Sequence, residues 1–304
     1  ESLPGRYAVA AGVALYAGCS STLLVINKVA VSVVPDASFV LFWQFLASCL
    51  AVRGLRYRWP DMDIELLERD KVRRVGPAML VFYICLLANT QALKSVNVET
   101  VIVVRSCSPV AVALLEHAAL GQALPSCKAA LALAAIAAGA TVYVLSGEGF
   151  HVKGYAWLSV YFVFIVVEMV FVKFVIETVQ MSTWTRVYYK NTLSLPLALL
   201  SCALAWDGGL LAATWSAASL LALALSSGVG VAISYATFNL LKLVSATSFA
   251  VIGVVCKVLT VLINDLIWTQ HSNAAGHLGI LLCILAGVLY ERAKAEQRGL
   301  QARG

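Results

Sequence analysis

Residues 245–265 read Ser245-Ala-Thr-Ser-Phe-Ala-Val-Ile-Gly253-Val-Val-Cys256-Lys257-Val-Leu-Thr-Val-Leu-Ile-Asn-Asp265. As a helix this run is long and apolar enough to cross about 30 Å of hydrocarbon, yet Lys257 stands near its middle. A charge at that depth costs roughly 2.5–3.5 kcal/mol on insertion scales, so an intramembrane ionisable residue reads first as a functional site. Gly253 lies one helical turn earlier and shares the face of Lys257. A glycine beside a cation lets an anionic ligand approach the backbone while the ammonium takes its charge. The competing reading is a structural lysine paired with a neighbouring helix, next to a glycine that only permits close packing.

The rest of the chain has the same character. Of its 304 residues 61% are apolar and 12% charged, and the mean hydropathy is +0.86; a soluble globular chain carries about 25% charged residues. Apolar runs separated by short charged clusters mark a polytopic α-helical membrane protein. The weaker alternating segments of a transmembrane barrel do not occur. Ten spans are expected, at about 7–33, 36–53, 75–95, 97–120, 127–146, 154–177, 184–206, 217–241, 245–268 and 276–291. The first is too long and too polar within to be a signal peptide. The chain begins at Glu1 and not at Met, so the natural start, with any targeting signal, is expected to be missing. The eight cysteines fall mostly inside apolar runs, form no C-x-x-C pair, and read as small packing residues. Basic cytoplasmic loops explain the +6 net charge better than a nucleic-acid partner does.

Residues 53–74 carry Arg53, Arg56, Arg58, Arg69, Lys71, Arg73 and Arg74, and the tail carries Arg292, Lys294, Arg298 and Arg303. The connections on the opposite side are short and poor in cations, which places both termini in the cytoplasm. An internal echo accompanies this pattern. Lys28 precedes Trp43-Gln44 by 15 and 16 residues, and Lys173 precedes Tyr188-Tyr189 by the same spacings; residues 94–100 then match residues 242–248, at an offset of 148 against 145. Two matches at nearly one offset predict two five-helix repeats, 1–147 and 148–304, within a single transporter domain. An odd repeat unit must insert with opposite topology. The expected fold is therefore an all-α membrane protein of ten transmembrane helices in a five-plus-five inverted repeat, the architecture of secondary transporters with a site near the midplane.

Several polar residues fall where lipid should be. The first run carries Tyr16, Ser20, Ser21, Thr22 and Asn27-Lys28, where Lys28 either snorkels or serves a site. The fourth has Arg105 near its middle, Pro109, which invites a kink, and Glu116 three turns further on. Arg105 needs a wet cavity or a carboxylate, and Glu168 is the candidate partner. The seventh opens Trp184-Thr-Arg-Val-Tyr188-Tyr189-Lys190-Asn191-Thr192. Aromatic faces there stack on a base and the Asn amide offers a donor and an acceptor, unless the group is simply an interfacial aromatic belt. The eighth brings Gly228, Gly230, Ser234 and Thr237, hydroxyls on one face that also suit helix packing. No H-E-x-x-H, G-x-S-x-G or paired aspartates occur, and the four histidines sit at span ends, so no enzyme, metal site or cofactor is expected.

With these residues the chain resembles, from about Tyr16 to Glu291, the nucleotide-sugar transporters of the drug/metabolite transporter superfamily, nearest the Golgi GDP-mannose and GDP-fucose carriers of fungi and green plants. Thr247 to Lys257 is similar to the family's G-x-x-N-K signature, Tyr188-Tyr189-Lys190-Asn191 to its F-Y-N-N signature, and Ser234 with Thr237 to its eighth-helix hydroxyl pair; Tyr16 with Asn27-Lys28 resembles its first helix. Cys256 and Lys190 depart from the pattern by replacing asparagines, one beside the sugar and one beside the base. The resemblance implies an antiporter in the Golgi membrane that moves GDP-mannose or GDP-fucose to the lumen in exchange for GMP. It implies substrate contacts at Tyr16, Arg105, Tyr188, Tyr189, Asn191, Ser234, Thr237, Gly253 and Lys257, within membrane lipid, and leaves a homodimer open. A UDP-sugar transporter and a plastid sugar-phosphate exchanger are the alternatives within the superfamily. A costly empty cation site fits exchange, because crossing is favoured only when an anion fills it.

Overall fold

In hydrocarbon a backbone N–H or C=O finds no partner outside the chain, so each apolar run closes its own hydrogen bonds as a helix. The computed structural model describes residues 3–34, 36–93, 96, 100–101, 104–105, 107–145, 152–204, 215–267 and 274–301; the side chains of Lys28 and Lys257, among others, lie outside the described set. The helices are α1 (Leu3–Val33), α2 (Ala37–Arg58), α3 (Arg69–Leu93), α4 (Ser108–Leu120), α5 (Cys127–Leu145), α6 (Val152–Thr178), α7 (Thr183–Leu204), α8 (Ala217–Leu243), α9 (Ala246–Ile267) and α10 (Ala274–Gln301). No strand occurs among the described residues. Among the described residues, five segments are long and apolar enough to cross a membrane: Tyr7–Asn27, Ser38–Arg58, Arg69–Ala92, Gly154–Thr178 and Ala217–Leu243. Shorter apolar helices accompany them, Ser108–Leu120, Cys127–Gly139 and Ala246–Cys256. Leu220, Leu221 and Leu225 on α8, and Leu278, Leu281, Leu285 and Leu289 on α10, are exposed. Such continuous leucine faces suit contact with lipid.

Local chemistry sets several ends. Asp36 caps α2 by accepting the Ser38 N–H at 2.8 Å. Gly121 ends α4 in the left-handed region, φ 63°, and donates to His117 O at 3.1 Å. Pro109 does not sit inside a continuous helix over 97–120. The chain turns at Cys107, and the proline opens α4, where its missing N–H is an orphan in any case. The charged tail is helical too: α10 runs on to Gln301 because Lys294, Glu296 and Gln297 find partners on Ser245, Lys128 and Ser126.

Two compact units form, one from Glu1–Tyr83 with Val175–Leu243, the other from Ile84–Phe174 with Val244–Gly304. Each draws on both halves of the chain, so a cut at 147 is not their boundary. In the first unit α1 packs on α8 and α2 on α7, and α8 also meets α2 and α7. Its core includes Ala30, Val34, Val40, Ala222 and Leu223. In the second unit α5 packs on α10, and α9 lies against both α10 and α4. Ala113, Ala129, Ala132, Val251, Val254, Ala286 and Ala293 belong to one buried cluster there. Small residues are what close helix packing in a membrane requires. At Gly287 a Cβ would come within 2.8 Å of Val255 Cγ2, so α10 meets α9 where only glycine fits without a shift.

Candidate functional site

In the first unit the start of α7 is built against the connection between α2 and α3. Thr185 Oγ1 accepts the Glu65 N–H at 3.0 Å and donates to Asp63 O at 3.2 Å. One turn on, the Tyr189 hydroxyl accepts the Glu68 N–H at 2.7 Å and donates to Leu66 O at 2.9 Å. Its ring is fully buried and stands edge-on to Tyr188, centroids 6.4 Å apart at 77°. Tyr189 thus holds a connection with its polar end while its ring is packed in the interior of the unit. Asn191, also buried, donates through Nδ2 to Val187 O at 2.7 Å. Lys190 joins α7 to α8: its ammonium donates to Ser234 Oγ at 3.3 Å and lies 4.2 Å from the centre of the Phe82 ring and 5.9 Å from that of Phe238. Ser234 donates in turn to Gly230 O at 2.9 Å, and Thr237 is half-buried three residues further along α8. Trp184 and Tyr235 pack at 4.7 Å between centroids, and Tyr16 is buried on α1, which packs on α8. Hydroxyls, a cation and aromatic faces in one unit can take both a charged group and a flat ring.

The structure also assigns two basic residues whose partners the sequence did not reveal. Arg186 is only 5% exposed, and its Nη2 donates to Ile176 O and Val179 O, both at 3.1 Å. A guanidinium there meets orphan carbonyls at the negative end of α6. Lys242, at the end of α8, donates to Thr183 Oγ1 at 2.6 Å.

In the second unit Arg105 is half-buried and donates through Nη1 to the Tyr161 hydroxyl at 3.3 Å. Gly253 and Cys256 are buried on α9, and Lys257 follows on the same helix with its side chain outside the described set.

The strongest polar construction in this unit is one the sequence only hinted at. Glu116, 4% exposed, accepts the Ala246 N–H at 2.9 Å, the Thr247 N–H at 3.0 Å and the Thr247 hydroxyl. A carboxylate on the first N–H groups of a helix satisfies orphan donors and meets the positive end of the helix dipole. Ser245 adds a cap by accepting the Ser248 N–H at 3.2 Å, and Lys294 of α10 donates to the Ser245 hydroxyl. A cavity of about 110 Å³ adjoins this end of α9, lined among others by Glu116, Gln122, Ser245, Thr247, Tyr290 and Lys294. The signal available in the sequence was a lone carboxylate in an apolar run.

No family model matches the chain. It is 34% identical over 299 residues to the GDP-mannose transporter GONST3 of Arabidopsis thaliana, covering 94% of this chain and 78% of that protein. It is 35% identical over 289 residues to GDP-fucose transporter 1 of the same plant, covering 91% and 84%. A fungal relative, GDP-mannose transporter 2 of Neosartorya fischeri, is 24% identical over 314 residues, 94% of this chain and 87% of that one. A crystal structure of a protein 17% identical in sequence superposes with a TM-score of 0.66, covering 95% of this chain and 96% of its own, a likeness of fold.

Proposed function

This chain belongs to the nucleotide-sugar transporter family, and we propose that it carries a GDP-sugar, GDP-mannose or GDP-fucose, from the cytosol into the Golgi lumen in exchange for GMP. The observation that carries this reading is the 34% and 35% identity to a GDP-mannose and a GDP-fucose transporter over more than nine-tenths of the chain. Both termini are cytoplasmic, and ten transmembrane helices form two inverted five-helix repeats. The pairing of helices supports that arrangement. Contacts join α2 to α7, α4 to α9 and α5 to α10. Each partner lies five helices on, the pairs a two-fold relation between halves brings together.

In this reading Tyr16, Tyr188, Tyr189, Asn191, Ser234 and Thr237 hold the nucleoside. Lys257 meets the phosphates with Arg105, and Gly253 lets the sugar approach the backbone. That Tyr188, Tyr189, Asn191 and Ser234 are packed together in one helical unit supports an aromatic and amide cluster there. A cation within the apolar run of α9 supports obligatory exchange, since crossing is favoured only when an anion fills the site.

The test is uptake of labelled GDP-mannose and GDP-fucose into proteoliposomes preloaded with GMP, UMP, CMP, AMP or nothing. Saturable uptake driven by GMP alone is expected. Equal uptake with UMP inside would reassign the base, and uptake into empty vesicles would point to a channel. Lys257→Ala should abolish exchange in protein that still elutes as a folded species; full exchange in that variant would remove Lys257 from the site.

A further inference from the structure

The outer faces of α2 and α3 change character at the same end. On α2, Leu50, Arg53, Gly54 and Tyr57 share one face at helical spacing and all are exposed, Tyr57 at 91%. On α3 the same holds of Arg69, Arg73, Pro77 and Leu80. Each face is apolar along the span and turns cationic toward the connection, Leu50 leading to Arg53 and Leu80 to Arg73. Phe45 of α2 stands edge-on to Phe82 of α3, with ring centroids 6.3 Å apart. From that level Arg53 lies about 12 Å onward along α2, and Arg73 about 13 Å back along α3, which stays helical through Pro77. The two arginines therefore stand at about one depth, each next to a leucine that suits lipid.

These cations are not used up inside the protein. Lys71 pairs with Glu65 and with Glu68, the latter at 3.2 Å, whereas no ion pair engages Arg53, Arg69 or Arg73 among the described residues. Asp61 and Asp63 belong to the connection and not to the two faces, and Asp70 falls in the row of Arg74. Where α2 ends, Trp59 is exposed and the Arg58 guanidinium stands 5.3 Å from the centre of its ring. Exposed Trp and Tyr beside cations, at the end of an apolar face, are groups that settle among lipid headgroups. We propose that Arg53, Arg69 and Arg73, with Tyr57 and Trp59, form a docking surface for the headgroups of anionic phospholipids. The guanidinium fork matches phosphate oxygens, and the lipid's chains continue onto Leu50 and Leu80. A net negative headgroup is preferred to a zwitterionic one, whose own ammonium opposes the arginines. A soluble acidic partner or a free anion would use the cations and leave those apolar neighbours uncovered. The surface does not depend on which nucleotide sugar the chain carries.

The experiment places the purified chain in nanodiscs of phosphatidylcholine with a minority of phosphatidylserine, and puts bromine near the headgroup end of the chains of either lipid, in equal amounts. Bromine quenches nearby tryptophan, and the emission lost in Trp59→Phe gives the share of Trp59. Brominated phosphatidylserine should quench that share about three-fold more than brominated phosphatidylcholine does. High salt should shrink the difference, because exposed charges are screened. In the double variant Arg53→Gln, Arg73→Gln the two lipids should quench alike. Equal quenching in wild type, or a difference that survives in the folded double variant, overturns the proposal. If the double variant does not fold, the salt series on wild type decides, and a difference indifferent to salt overturns the proposal. A Trp59 quenched by neither lipid also overturns it, and leaves the surface to an acidic protein or a second copy of the chain.

Discussion

The starts of α7 and α9 are held in opposite ways. At α7 the work is divided among neutral groups: Thr185 and Tyr189 make four hydrogen bonds to the main chain of residues 63–68. At α9 one buried carboxylate, Glu116, takes three donors at once. Distributed neutral bonds to a connection near water can be lost singly, each leaving groups that water can reach. A single buried ionic acceptor fails as a whole, because its removal strands every donor it served. The first helix end is tolerant and the second is all-or-none.

The comparison can be broken by substitution. Glu116→Leu strands three donors and should cost about 3–5 kcal/mol, read as a large fall in the melting midpoint of purified protein. A loss no greater than that of a single neutral bond would erase the contrast. Tyr189→Phe removes two bonds to the connection and should cost only about 1 kcal/mol. Faster hydrogen exchange at the Glu68 amide, with amides of α9 unchanged, would locate the effect. The smallest change belongs to an exposed pair, Lys128 with Glu296, 2.8 Å apart. The hydrogen bond from Lys128 holds the Glu296 carboxyl below the usual carboxylate range. Such a depressed group adds its stability at neutral pH and loses it as pH falls through the lowered value. Lys128→Ala should melt barely below wild type at neutral pH and coincide with it in acid; a gap that widens in acid would contradict the assignment.

The helices were legible because a bilayer leaves an apolar run no alternative to closing its own hydrogen bonds. Residues 36–53, 127–146 and 217–241 accordingly lie within or beside α2, α5 and α8. The helical tail was not legible. Its charges look like a solvated end until Lys294 and Gln297 are seen to bond across to Ser245 and Ser126. Tyr189 stood out in the sequence as one of an aromatic group, whereas the engagement of its hydroxyl with Leu66 and Glu68, over 120 positions away, was not legible. Glu116 drew notice only as a carboxylate three turns beyond Arg105 in an apolar run.

The sequence by itself determined that this chain is helical and membrane-bound, that several cations stand within its apolar runs, and which residue types gather along α7, α8 and α9. Those are local properties, readable from composition and from the 3.6-residue period. Only the tertiary structure decided that each compact unit interleaves both halves of the chain, and that Glu116 closes on a helix start 130 residues away. A hydrogen bond is chosen by distance in space, and in an apolar interior a buried donor accepts whichever acceptor the packing of helices brings within 3 Å.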